Sequence, residues 1–269
     1  MKTITNKLDC LRLAAGVVLR KNLPKPYKVY QEICGEIAYE FLSLGPVARA
    51  VSVRRLRKLE KLFHHPFEVV NQFKGVGLYR SIVAVQVESE ISELFDITKS
   101  TKPNIVCEVG TDIGGTLYMW SKVVQPNGLL ISVDLPRVYR KSLNRFFKLA
   151  FFDKKNKNNI YFLRENSQSD ECQEKVRRIL DGKQIDFLFI DADHSYEGVK
   201  RDFLLYSPFV RESGIIVLHD ILDNCGVDRF WSEIKSAYVS REIVENYGQG
   251  CCGIGLLYNK PPIETNCTR

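Results

Sequence analysis

The sequence predicts an α/β fold, with a mostly parallel sheet in residues 81–269 and a helical extension in residues 1–80. Three observations predict it. From Asn104 onward, short apolar, β-branched runs alternate with polar stretches of helical character, the pattern of successive βα units. Upstream, apolar residues recur at three- and four-residue intervals instead. The last two apolar runs lie too close together for a crossover helix, so they should pair as an antiparallel ribbon at one sheet edge.

Taken in order, Val29, Ile33, Ile37, Phe41 and Leu44 mark one face of a helix over Tyr27 to Leu44, and Gly45-Pro46 ends it. A second helix is expected from Ala48 to Phe63, with Arg54, Arg55, Arg57, Lys58 and Lys61 on its polar side, before His65-Pro66 breaks the pattern. A third, from Ile82 to Ile97, leads into the turn-rich Ser100-Thr101-Lys102-Pro103-Asn104. Strands are expected near Ile105 to Val109, Leu129 to Val133, Ile160 to Leu163, Ile185 to Ile190, Gly214 to Leu218, Glu242 to Val244 and Gly253 to Tyr258.

With 269 residues, 45% hydrophobic and 26% charged, the composition excludes disordered, collagen-like and fibrous classes. The longest apolar run, Leu13 to Leu19, is far short of the roughly 20 residues of a membrane span. Asp9 and Arg12 interrupt its approach and no small-residue cleavage site follows before Lys21, so it does not read as a secretory signal. A cytoplasmic location is expected. On that reading the sequon-like Asn266-Cys267-Thr268 carries no weight, and the eight cysteines are reduced, structural thiols. None has CxxC spacing, and the adjacent Cys251-Cys252 suits neither a zinc knuckle nor a thioredoxin-type motif. Residues 1–80 hold 15 basic against 6 acidic side chains, and the remainder 24 against 26. A basic front segment suits nucleic acid, a membrane surface, an acidic partner or simply a solvated face.

Strands of an open parallel sheet present ligand-binding residues at their carboxyl ends. The first such end reads Glu108-Val109-Gly110-Thr111-Asp112-Ile113-Gly114-Gly115, where glycines allow a sharp turn against a ligand. A dinucleotide fingerprint needs glycine where Asp112 stands, and a carboxylate there repels pyrophosphate. The ligand should therefore carry positive charge near this loop, as the sulfonium and ammonium of S-adenosylmethionine do. Asp134, 24 residues beyond Gly110, ends the second strand, where a carboxylate accepts hydrogen bonds from ribose hydroxyls or caps a helix. At the fourth and fifth strand ends stand Asp191-Ala192-Asp193-His194 and His219-Asp220. Asp191 and Asp220, with His219 beside them, suit a hard divalent cation such as Mg²⁺, while the same acids also suit a ligand ammonium or helix caps. His194 is placed to take a substrate proton, with an ordinary unperturbed pKa near 6.5, though a strand-end histidine also suits a hydrogen-bonded structural role, and Asp193 or His194 suits capping the helix that starts near Ser195. His64-His65 reads as a helix-terminal pair next to Pro66.

These residues resemble the class I S-adenosylmethionine-dependent methyltransferases, in particular cephalosporin-hydroxylase-like proteins and metal-dependent macrolide sugar O-methyltransferases. The resemblance runs from Gln86 to Tyr258 and is carried by Glu108 to Thr116, by Ile190-Asp-Ala-Asp-His-Ser-Tyr-Glu-Gly-Val-Lys-Arg-Asp202, and by Gly214-Ile-Ile-Val-Leu-His-Asp220. It implies a Rossmann-like seven-stranded sheet of order 3-2-1-4-5-7-6 with the last strand antiparallel. It further implies a donor held by Glu108, Gly110, Thr111, Asp112 and Gly114 at the methionine half, Asp134 at the ribose, Asn166 and Ser167 at the adenine, and Asp191. Asp191 and Asp220 match metal ligands and His194 the base. In the sugar enzymes the fifth strand ends in two acids; here the first is His219, a neutral ligand that adds no negative charge for Mg²⁺.

The expected activity is O-methylation of a hydroxyl on a small molecule or glycan. A nucleic-acid methyltransferase is the alternative among enzymes, but no Asn-Pro-Pro-aromatic or Pro-Cys motif for base chemistry is present. A donor-binding scaffold without turnover is the alternative outside them. The resemblance implies that the front helices cover the acceptor or form a homo-oligomer interface, while Tyr27, Tyr30 and Tyr39 suit a carbohydrate or phenol site and core packing equally well.

Overall fold

The computed structural model describes residues 46–72, 82, 84–112, 114–135 and 159–259. The helix expected over Tyr27 to Leu44, with its three tyrosines, lies outside them. Seven strands form one sheet of order β3-β2-β1-β4-β5-β7-β6. They are β1 (Ile105–Val109), β2 (Leu129–Asp134), β3 (Ile160–Arg164), β4 (Ile185–Ile190), β5 (Val210–His219), β6 (Val239–Ile243) and β7 (Ile254–Tyr258). The first five are parallel, and β7 runs antiparallel to both β5 and β6. The sheet is thus the Rossmann-like one expected, with its reversed edge ribbon.

Alternation along the strands sorts side chains onto two faces. On one, Val106, Phe187, Phe189, Ile215 and Val217 pack with α1 (Pro46–Leu62), α2 (Pro66–Asn71), α3 (Glu88–Thr101) and α4 (Gly115–Trp120). On the other, Cys107, Val109, Leu188, Ile190, Ile216 and Leu218 meet α5 (Asp170–Leu180), α6 (Tyr196–Tyr206) and α7 (Val227–Ile234). Central strands buried on both faces need continuous apolar runs, which β1 and β4 have.

Three elements start well away from where the sequence places them. The helix expected from Ile82 begins at Glu88, after an extended Val87 with φ −67° and ψ 133°. Ile82, Ala84 and Gln86 are buried whereas Val85 is exposed, a two-residue period that the helical reading missed. Strand β5 starts four residues early, at Val210, because Asp186 anchors Arg211 while also accepting from the backbone N–H groups of Asn104 and Ile105 at 2.8 Å. Strand β6 starts at Val239 and ends at Ile243, an edge strand with one polar face, so its residues carry a weak apolar signal.

Candidate active site

The loop from β1 into α4 turns on Gly110 (φ 91°), Asp112 (φ 41°) and Gly114 (φ 90°). Gly110 is required by the neighbouring strand: a Cβ there would lie 1.9 Å from the Asp191 carbonyl oxygen and 2.7 Å from the Ala192 Cα. The same closeness lets Asp191 N donate to Val109 O at 2.8 Å. Thr111 is buried, its hydroxyl 2.7 Å from that of Ser132, and Asp112 is exposed. Glu108 is fully buried, its carboxylate accepting from the Trp120 indole at 3.1 Å. Asp134, at the end of β2, forms an ion pair with Arg164 of β3, its register partner.

After β3, Asn166 is exposed, and its side-chain oxygen accepts from Gln168 N at 3.0 Å. The Ser167 hydroxyl donates to Asp202 of α6 at 2.7 Å. Ser195 caps α6, its hydroxyl accepting from Gly198 N, while Asp193 accepts from Ser195 N. Capping thus falls to Ser195 and Asp193. Similarly, His65 caps α2 by accepting from Phe67 N, while Glu68 accepts from His65 N.

The acids and imidazoles of the fourth and fifth strand ends do meet. His194 Nε2 is 3.4 Å from Asp191 and its Nδ1 3.1 Å from Asp220. His219 Nδ1 is 3.3 Å from Asp191 and 3.1 Å from Asp220. Burial favours a neutral His219, but the carboxylates of Asp220 and Asp191 outweigh it and raise its pKa well above the usual value. For Asp191, burial pushes upward, and His219 and His194 nevertheless hold the carboxyl below the usual carboxylate range. His194 is pushed up to about 9, chiefly by its contact with Asp191. The ordinary imidazole value is thus displaced because two carboxylates flank the ring.

Two residues of this cluster escaped the sequence reading. Gln86 Nε2 donates to Asp191 at 2.8 Å, and its buried Oε1 has no hydrogen-bond partner. A lone amide within the apolar run Ile82 to Val87 was the available signal. Cys252 reaches the cluster from the turn before β7, where Leu222 N donates to Cys252 O at 2.9 Å. His219, Asp220 and Cys252 each place a potential ligand atom within 4.8 Å of the others, and so do Asp191, His194 and Asp220. The pairing of His219 with Ile254 puts residue 252 at that strand end, but only once the order of β5 and β7 is known.

Residues 107–221 match the methyltransferase domain family. That segment is similar to a methyltransferase domain. The match begins on β1 and ends just past Asp220, so it spans every strand-end residue discussed above except Gln86 and Cys252. No curated protein sequence matches the chain. Among solved structures it is similar to a candidate O-methyltransferase from Klebsiella pneumoniae, with 12% identity, a TM-score of 0.53, and 81% of this chain and 91% of the other covered. It is also similar to the O-methyltransferase TomG of tomaymycin synthesis from Streptomyces achromogenes, in complex with S-adenosylmethionine (13%, 0.52, 84% and 95%). A third is an O-methyltransferase from Bacillus cereus in complex with S-adenosylhomocysteine (12%, 0.51, 77% and 90%). At such identities the likeness concerns the fold, and any substrate must be argued from this chain's own residues. Among the described residues, no helix is long and apolar enough to cross a membrane.

Proposed function

We propose that the chain binds S-adenosylmethionine and transfers its methyl group to a hydroxyl of a small molecule or glycan. The observation that carries this reading is the cluster of Asp191, His194, His219 and Asp220 beside the loop after β1, where donor and acceptor would meet. Asp112 on that loop favours a cationic donor over a pyrophosphate. Glu108, Gly110, Thr111 and Gly114 shape the seat of the methionine half, Asp134 faces the ribose, and Asn166 and Ser167 lie toward the adenine. Asp191 faces the methionine ammonium as well as the cluster.

On the acceptor side, His194 is the most open member of the cluster, its side chain 39% exposed. When neutral it is in position to take the acceptor's proton. Asp191, His219 and Asp220 would hold a divalent cation, which when bound stabilises an alkoxide or phenolate. Gln86 orients Asp191, and holding both reactants in line supplies much of the rate.

The test begins with calorimetric titration of the full chain with S-adenosylmethionine, NAD serving as control. Saturable donor binding and none of NAD is expected. Turnover is then followed over a panel of hydroxylated acceptors, and Asp191→Asn and His194→Ala should each lower it about 100-fold or more while the fold persists. Variants that methylate at the wild-type rate would remove both residues from the chemistry. Donor binding without any acceptor would favour a scaffold.

A further inference from the structure

The residues of the strand-end cluster do not suit a hard cation. Mg²⁺ asks for near-octahedral oxygen coordination and keeps several waters. Here both carboxylates already face imidazole rings, and neither ligand triad among the described residues is all oxygen. His219 is 6% exposed, and both of its ring nitrogens are buried without a hydrogen-bond partner. Nδ1 has the Asp191 and Asp220 carboxylates beside it, but a buried Nε2 with no partner is costly unless something occupies the gap. The Cys252 thiol, 8% exposed, lies at the same gap.

We propose that the pocket between the end of β5 and the turn before β7 is a transition-metal site, in which Cys252, His219 and Asp220 bind Zn²⁺ or a similar borderline divalent ion in preference to Mg²⁺. The proposal rests on the reading of this cluster as the acceptor side of the methyl-transfer site, and it names the ion that side takes. Sulfur, imidazole nitrogen and carboxylate oxygen form the donor set that Zn²⁺ favours, with bonds of about 2.3 Å to sulfur and about 2.0–2.2 Å to nitrogen and oxygen. A tetrahedral ion with such bonds holds its ligand atoms roughly 3.5 Å apart. Three ligand atoms already within 4.8 Å of one another need only a small contraction to reach that spacing. Backbone hydrogen bonds from Ile221 and Leu222 to Gly253 and Cys252 fix the turn against the β5 end, so the thiol is held in place. Three protein ligands leave a fourth position open, the arrangement of catalytic rather than structural zinc. The Asp191–His194 pair stands beside it, Asp191 3.3 Å from His219 and His194 3.1 Å from Asp220.

The experiment loads metal-stripped full chain with Zn²⁺, Co²⁺ or Mg²⁺ and reads binding without turnover. One Zn²⁺ per chain is expected, bound at least 100-fold more tightly than Mg²⁺. The Co²⁺ form should show a thiolate-to-metal charge-transfer band that Cys252→Ser abolishes and Cys251→Ser keeps. Should Cys252→Ser not fold, as judged by circular dichroism, His219→Gln serves instead and should weaken Zn²⁺ at least tenfold. Equal affinity for Mg²⁺, a Co²⁺ form without the band, a band that survives Cys252→Ser, or unchanged Zn²⁺ affinity in His219→Gln would each overturn the proposal. Donor titration separates the two readings. Donor binding with no preference for Zn²⁺ sinks the metal assignment alone, whereas tight Zn²⁺ with no donor binding sinks the transferase reading alone.

Discussion

Gly110 shows how one residue sets the distance between two halves of the site. Its φ of 91° lies in the left-handed region, and the absent side chain leaves room for the Asp191 backbone. The sequence reading assigned this glycine to close approach of a ligand, whereas the first thing its missing Cβ admits is the neighbouring strand end. Gly110→Ala therefore combines backbone strain with a clash against main chain that cannot rotate away. We expect it to cost about 3 kcal/mol or more in urea unfolding, and a loss below about 1 kcal/mol would mean that the β4 end can shift freely. Histidine chemistry is equally local. That His194 stands between two carboxylates follows from the β4–β5 pairing, and no residue type in the sequence records that its pKa rises to about 9.

Helix α6 joins the segment after β3 to the site through Asp202, and this contact is a stability switch. Burial raises the Asp202 carboxyl from 3.8 to about 6, offset in part by hydrogen bonds from Ser167 and Gln168; Asp193 raises it slightly and Arg201 lowers it. The folded state thus binds a proton that the unfolded chain releases near pH 4, so this residue's contribution is most favourable below about pH 4 and is lost as pH rises to about 6. The shift corresponds to about 2–3 kcal/mol. Asp202→Asn should remove that slope, so its stability relative to wild type should rise by about that amount between pH 4 and pH 7 in urea titrations. Parallel curves would show that Asp202 does not titrate there. Elements differed in legibility for physical reasons. Strands β1 and β4 were readable to the residue because burial on both faces demands unbroken apolar runs. The stretch Ile82 to Val87 was not, since β-branched residues beside a true helix satisfy either period over so few positions. Asp191, His194, His219 and Asp220 were legible as strand-end residues, while Gln86 and Cys252 acquire meaning only through tertiary closeness.

Across the whole molecule, residues 46–72 act as a layer of the core. Leu56, Leu59, Phe67, Val69 and Val70 are buried in the same cluster as Leu117, Trp120, Phe187 and Phe189. Glu60 of α1 accepts from the Tyr118 hydroxyl and from Lys122 Nζ, both at 2.7 Å, which ties the extension to α4 and the turn beyond it. At about 1.5–3 kcal/mol for each buried aliphatic or aromatic side chain, those five residues contribute on the order of 10 kcal/mol. A domain's entire margin is about 5–15 kcal/mol, so removing the layer should abolish the native state rather than trim it. A chain beginning at residue 81 is expected to aggregate, or to keep helical signal in the far ultraviolet while losing near-ultraviolet dichroism and cooperative unfolding. If it unfolds cooperatively and binds S-adenosylmethionine as the full chain does, residues 46–72 are a dispensable cover, and their place in the core cluster overstates their energetic role.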